Sequence, residues 1–179
     1  ILVKKGNHIH IIEVKAESFG PENEHTFIGT QGKIKSDWKP YLFDLAFQKH
    51  VIQQARPDYN VRGSFMMADK TKRTTIDGLN QMFRIPKDGN PRTDLVRKCN
   101  TLDEIGESVL SEVDVDSIIN EIIDSKYKCS NDLYFFSVCN LFRDSYLNVK
   151  FIGVPTNHSN CKKCEFKTNK EDEKLGLKS

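Results

Sequence analysis

Two full charges stand one residue apart in an apolar run: Glu13 and Lys15, in HIIEVKAES (residues 10–18). The neighbours Ile9, Ile11, Ile12 and Val14 are β-branched and dense, the composition of a strand. Side chains alternate along a strand, so Glu13 and Lys15 share one face, roughly 6.5 Å apart along it. Ile12 and Val14 then point the other way and are expected to pack on a core. An unpaired charge is costly to bury, so the two must be paired, solvated or engaged with a ligand. A carboxylate and a lysine on one face can build a metal-dependent phosphodiesterase site. The carboxylate holds a divalent cation such as Mg²⁺ or Mn²⁺. The lysine orients water or neutralises charge developing on a phosphate, while the cation acts as Lewis acid. Such a site calls for a second carboxylate, because one Glu rarely holds Mg²⁺ alone. Glu-x-Lys is also a common pattern, and its ordinary setting is the solvated face of an edge strand.

The elements that must position these charges follow from local pattern. Ile1 to Val3 are apolar, Lys4 to Asn7 form a polar turn with a Gly-Asn pair, and a hairpin is expected over about residues 1–16. Residues 17–36 read as a polar, Gly-containing loop. A helix is expected from Asp37, a good N-cap, to about Arg56, with Pro40 in its first turn and Pro57 ending it. Leu42, Leu45, Ala46, Val51 and Ile52 make its apolar stripe. Trp38, Tyr41, Phe43 and Phe47 are expected in the core. Asp44 and Gln48 are four apart and share a face. Turned toward the open end of the strand, that face would stand near Glu13. YNVRGSFMMA (59–68) reads as a strand, KTKR (70–73) as a basic turn, QMFRI (81–85) as a weaker extended segment, and residues 101–147 as helical, with a helix start at TLDE, a helix around Val115 to Ser125 and a longer one from Asn131 to Leu147. The order implies an α/β fold, a mixed sheet with helices packed on it.

Composition narrows the class. The 179 residues carry a formal charge of +2, from 27 basic and 25 acidic residues, so bulk charge does not announce a nucleic-acid binder. No apolar run approaches the length of a membrane span, and no signal peptide is visible. Five cysteines are an odd count in a chain of this size, which argues against a secreted disulfide framework and for a reducing, cytoplasmic setting. The abrupt apolar start and polar end suggest a piece of a larger protein, with further domains beyond both ends.

The stretch ILVKKGNHIHIIEVKAES, followed by YLFDLAFQKHVIQQ, resembles the PD-(D/E)XK nuclease superfamily. Within it, the chain is most similar to the RecB-like branch, which includes CRISPR-associated RecB-like exonucleases and bacterial proteins carrying that domain. Glu13-Val14-Lys15 matches (D/E)xK, and Gln48 matches the Gln of the branch's Gln-x-x-x-Tyr helix motif, whose Tyr position is Ile52 here. The resemblance implies a restriction-endonuclease-like mixed central sheet with flanking helices and a helical C-terminal segment. It implies that Glu13 and the Val14 backbone carbonyl bind Mg²⁺ or Mn²⁺, that Lys15 assists the attacking water, and that Gln48 positions DNA (RNA being the other substrate it leaves open). The family aspartate would lie just before Ile1, so this piece alone is expected to be nearly inactive. A partial nuclease core over 1–98, a helical segment over 99–150 and an incomplete C-terminal segment over 151–179 complete the expected plan. The reading from another class is a catalytically degenerate module that binds nucleic acid or a protein.

Cys161 and Cys164 form a Cys-x-x-Cys pair whose sulfurs can reach one tetrahedral metal or one edge of an iron–sulfur cluster. Two ligands are too few, and zinc completed by His158, or a pair of free thiols, fits the same spacing. Iron–sulfur members of the RecB-like branch place one cysteine before the nuclease core and three after it, which implies a cluster with ligands outside this chain. Cys99, Cys129 and Cys139 show no ligand spacing and are expected to be small core residues. His8 and His10 are expected to be structural, and His50 either replaces the missing Tyr as a ligand or lies exposed on its helix. Lys33, Lys35, Lys70, Lys72 and Arg73 could hold a phosphate backbone without regard to sequence. KTKR is also an ordinary solvated turn.

Overall fold

The computed structural model of the chain describes residues 1–20, 27–84, 86, 95–130 and 132–150. The expected hairpin forms from β1 (Leu2–Lys5) and β2 (His8–Phe19). Its turn works because Gly6 takes φ +59° while Asn7 stays negative, the pattern of a type II′ turn. β1 runs antiparallel to β2, with Leu2 opposite Ile11 and Lys5 opposite His8. Helix α1 (Lys39–Ala55) then crosses over, so that β3 (Asn60–Asp69) returns parallel to β2.

A short antiparallel pair follows, β4 (Phe83–Arg84) with β5 (Val96–Arg97). β6 (Leu110–Asp114) then joins the far edge of β3, antiparallel, completing a mixed sheet in the order β1-β2-β3-β6. Helix α2 (Asp116–Ile123), the small hairpin β7 (Lys128–Ser130) and β8 (Leu133–Tyr134), and helix α3 (Phe135–Leu147) close the described chain. Two compact units result, Ile1–Ser137 and Val138–Ser179. The first holds the sheet with α1 and α2. In the second, the described helix residues leave Phe142, Tyr146 and Leu147 exposed.

Most of the core lies on one sheet face, while Ile12 and its partner Ser64 are buried on the other. Register sets Ile9 beside Val61, Ile11 beside Gly63 and Glu13 beside Phe65. Leu42, Leu45 and Ala46 of α1 and Ile119 and Ile122 of α2 are fully buried. Both helices press on Gly63: a Cβ there would stand 2.7 Å from Ile119 Cδ1 and 3.2 Å from Leu45. Buried Lys49 ties the helices together, donating to Asp116 Oδ1 (2.8 Å) and Asn120 Oδ1 (2.7 Å).

Several expectations are corrected. Val14 is 55% exposed, and the face bearing Glu13 and Lys15 is the one the helices cover. β2 has β-branched residues at both parities, so its pattern alone does not choose a face. Helix α1 starts at Lys39, with Trp38 at the N-cap position and no side-chain cap; Asp37 instead accepts from Ser36 Oγ (3.3 Å). Phe47 lies half out of the core, at 49% exposure. The helices expected around 115–125 and 131–147 form as α2 and α3, but TLDE gives only a 3-10 turn (Asp103–Ile105) and a strand follows it. LSEVD alternates half-buried Ser111 and Val113 with exposed Leu110, Glu112 and Asp114, a two-residue period that pairs with the free edge of β3. β6 completes the sheet of β3, and the division between the two compact units falls after Ser137.

Candidate functional site

Lys15 Nζ stands 2.7 Å from Glu13 Oε1, with side chains 13% and 27% exposed. The same ammonium lies 3.8 Å from the centroid of the Tyr41 ring, and the Tyr41 hydroxyl donates to Glu17 Oε1 at 3.2 Å. Glu13, Lys15, Tyr41 and Glu17 thus form one connected chain of contacts. Lys15 receives a carboxylate on one side and an aromatic face on the other, both of which hold a cation in place.

The backbone explains the geometry. The parallel pairing of β2 with β3 runs through Val14 opposite Met66 and resumes only at Ser18 opposite Ala68. Residues 15–17 therefore face Met67 alone. Extra residues of this kind bend a strand and re-aim its side chains, a device common beside active sites. The first turns of α1 roof the same region. Trp38 packs 5.8 Å from the ring of Phe65, the register partner of Glu13, and 5.0 Å from Phe27. Phe65 is fully buried. The ion pair thus sits at the edge of an apolar layer, where electrostatic interactions are stronger than in water.

Placement of the other expected residues is uneven. Val14 is the last residue paired to β3 before the opening. Gln48 lies on the strip of α1 that carries Tyr41, seven residues on, which is about 10 Å along the axis. It is half-buried, and among the described residues no hydrogen bond joins it to Glu13 or Lys15. Asp44 is exposed. His50 is half-buried rather than exposed: its ring packs edge-on against Phe135 and Phe136, at 5.5 and 5.1 Å. His10 has the expected structural role, with Nε2 2.7 Å from Ser64 Oγ and 3.2 Å from Glu112 Oε1. The Arg62 guanidinium faces His10 Nδ1 at 3.2 Å. Arg62 can only donate, which leaves the ring hydrogen on Nε2. Cys99 is buried, while Cys129 and Cys139 are intermediate, and burial pushes the Cys139 thiol up. Cys161, Cys164 and His158 lie outside the described residues.

Lys70, Lys72 and Arg73 follow β3 directly and are exposed. Phe19 pairs with Asp69, so this turn lies at the same end of the sheet as the β2 opening. Lys72 is anchored to the Leu110 carbonyl (2.7 Å). The turn itself is built on Asp69, which accepts from Ser111 Oγ (2.6 Å), Thr71 Oγ1 (2.6 Å) and the Thr71 N–H (2.9 Å). Those bonds, Ser111 first, hold its carboxyl at about 2. Lys33 and Lys35 are exposed on the loop before α1.

Tyr41 and Glu17 were not singled out from sequence as site residues. The available signals were the seven-residue spacing from Tyr41 to Gln48 on one helix strip, and the alternation that extends Glu13 and Lys15 to Glu17. Among the described residues, no three of His, Cys, Asp and Glu converge as a metal-binding group. Comparison of the chain with protein-family models, with curated proteins and with solved structures gives no match.

Proposed function

We propose that the chain carries part of a metal-dependent nuclease site of the PD-(D/E)XK, RecB-like type, acting on DNA phosphodiesters. The observation that carries this reading is the half-buried Glu13–Lys15 pair set where the β2–β3 ladder opens, under the first turns of α1. A purely structural ion pair needs neither the opening nor the aromatic face. The order hairpin, crossover helix and parallel strand supports the same reading, being the restriction-endonuclease-like order that the resemblance implies.

The donors suit a hard cation. Glu13 Oε1 is engaged by Lys15, while its second oxygen accepts no hydrogen bond among the described residues. Mg²⁺ keeps several waters and is held by one or two carboxylates together with substrate phosphates, so Glu13 and the Val14 carbonyl fit as protein ligands. The cation would supply Lewis acidity at the phosphate. Such a site also calls for a second carboxylate, because one Glu rarely holds Mg²⁺ alone. Lys15 holds a positive charge where the attacked phosphate gains negative charge. Tyr41 fixes the direction of that ammonium and brings a phenol to a helix whose motif tyrosine is replaced by Ile52.

Cleavage of labelled DNA by the full-length protein, with and without Mg²⁺ or Mn²⁺, tests the reading. Lys15→Met and Glu13→Gln should each lower cleavage roughly 10²- to 10³-fold with little change in KM, as removal of a single transition-state interaction does. Wild-type cleavage by Lys15→Met would refute it. DNA binding with no cleavage under any divalent cation would favour the degenerate binding module.

A further inference from the structure

A second concave surface lies at the N-terminal end of α1. Lys33 from the preceding loop, Lys39 at the helix start, Lys126, Tyr127 and Lys128 around the start of β7, and Tyr134 at the end of β8 line an open groove of about 450 Å³. Two carboxylates answer the four lysines. Glu121 pairs with Lys126 (2.6 Å) and Asp132 with Lys128 (2.7 Å). Those bonds raise both lysines, so they stay charged. Asp132 is 87% exposed, and a solvated pair of this kind holds weakly enough for another anion to compete. Lys33 and Lys39 have no carboxylate partner among the described residues, and the Lys39 ammonium lies 5.6 Å from the Phe43 ring.

The tyrosines decide what kind of anion fits. Tyr127 is pinned, its hydroxyl donating to Glu121 Oε2 at 2.8 Å. Tyr134 is 39% exposed. A lysine-lined groove with an accessible aromatic face suits a strand whose phosphates run past the cations while a base stacks on the ring. A duplex keeps its base faces stacked and offers such a ring nothing. We propose that this groove binds single-stranded nucleic acid, with phosphates on Lys33, Lys39, Lys126 and Lys128 and a base against Tyr134. The inference deepens the nuclease reading, on which it rests, by giving the substrate strand a path. The first turns of α1 carry Lys39 into the groove and Tyr41 onto Lys15.

Fluorescence anisotropy of a labelled oligothymidylate with the full-length protein, in EDTA so that no cleavage occurs, tests it. Lys33→Gln/Lys39→Gln should bind more weakly, with the slope of log affinity against log salt smaller by about 1.4, or 0.7 for each phosphate no longer neutralised. Tyr134→Ala should weaken binding roughly 5- to 100-fold, and Tyr134→Phe should restore it. The same sequence as a duplex should be insensitive to Tyr134, and an oligouridylate should behave like the oligothymidylate. An unchanged salt slope in the lysine variant, or unchanged affinity in Tyr134→Ala, overturns the proposal. Tight, Tyr134-dependent binding without cleavage would refute the nuclease while leaving the groove standing. Cleavage with binding indifferent to these residues would do the reverse.

Discussion

Replacing Lys49 by Met should loosen the layer that carries the candidate site, and the size of the effect follows from its surroundings. The ammonium is almost sealed, at 4% side-chain exposure, and holds Asp116 at 2.8 Å and Asn120 at 2.7 Å. Asp116 also accepts the Gly63 N–H (2.9 Å), so one carboxylate joins α1, α2 and β3. Met has nearly the same length and volume, so Lys49→Met leaves no cavity. It strips Asp116 of its counter-charge. Removing one partner of a buried pair typically costs 3–5 kcal/mol. Asp116 is 25% exposed and keeps the Gly63 bond and a 3.3 Å bond from Asn120. Solvent and these remaining donors reduce the expected cost to about 2–3 kcal/mol. In urea, at an m-value of about 2 kcal/mol/M, the midpoint should fall by about 1–1.5 M. Lys49→Met/Asp116→Asn should recover at least half of the loss, because the amide carbonyl still serves Gly63 and no unpaired charge remains. A single variant within about 0.5 kcal/mol of wild type, or a double variant no better than the single, would refute the reasoning.

Gly63→Ala should destabilise by about 1–3 kcal/mol, since its Cβ would meet Ile119 Cδ1 at 2.7 Å and the buried Ile119 side chain must give way; denaturant titration measures this, and a neutral result would mean that Ile119 repacks freely. Asp69 has a folded pKa near 2, below its unfolded value, so its stabilising contribution is full above about pH 4 and is lost as pH falls toward 2. Asp69→Asn should accordingly flatten the acid limb of a stability–pH profile, and an unchanged limb would show that the Ser111 and Thr71 bonds do not favour the ionised form. Tyr41→Ala removes a ring 3.8 Å from the Lys15 ammonium, an interaction of about 1 kcal/mol, and under the nuclease reading should lower kcat with KM nearly unchanged. Tyr41→Phe should keep most activity, and an equal loss in both variants would assign the effect to the hydroxyl bonded to Glu17 instead.

Where local chemistry decides structure, the sequence was readable. The Gly6-Asn7 turn, the apolar stripe of α1 closed by Pro57, and the β-branched start of β3 each name their element without help from distant residues. Face and partner were harder to read. Ile9 and Ile11 share a face with Glu13, Ile12 and Val14 share the other, and nothing local says which face α1 will cover. LSEVD passed for part of a helical region because its apolar content is low. It becomes a strand by pairing with β3, some forty residues away, a long-range contact that no window of neighbours contains. Tyr41 has the same character. As one aromatic among several near the helix start it reads as core, and only the crossover geometry sets it against Lys15.

The charges that opened the sequence follow from that geometry. An isolated glutamate on the covered face of β2 would be costly to bury, and so would an isolated lysine. Two residues apart on one strand, they can pair, yet a regular parallel ladder would hold both against the helical layer beside Phe65. The opening after Val14 relieves that constraint. It frees residues 15–17 from one-to-one pairing, leaves Glu13 27% exposed, and lets Tyr41 and Glu17 complete the surroundings of Lys15. Ion pairing alone does not require the interruption: Lys49 of α1 and Asp116 of α2 pair between the helices, and Asp116 accepts the Gly63 N–H where the β2–β3 register is unbroken. A ladder opened beside a half-exposed carboxylate is the arrangement a site needs if a phosphate and a cation are to reach it.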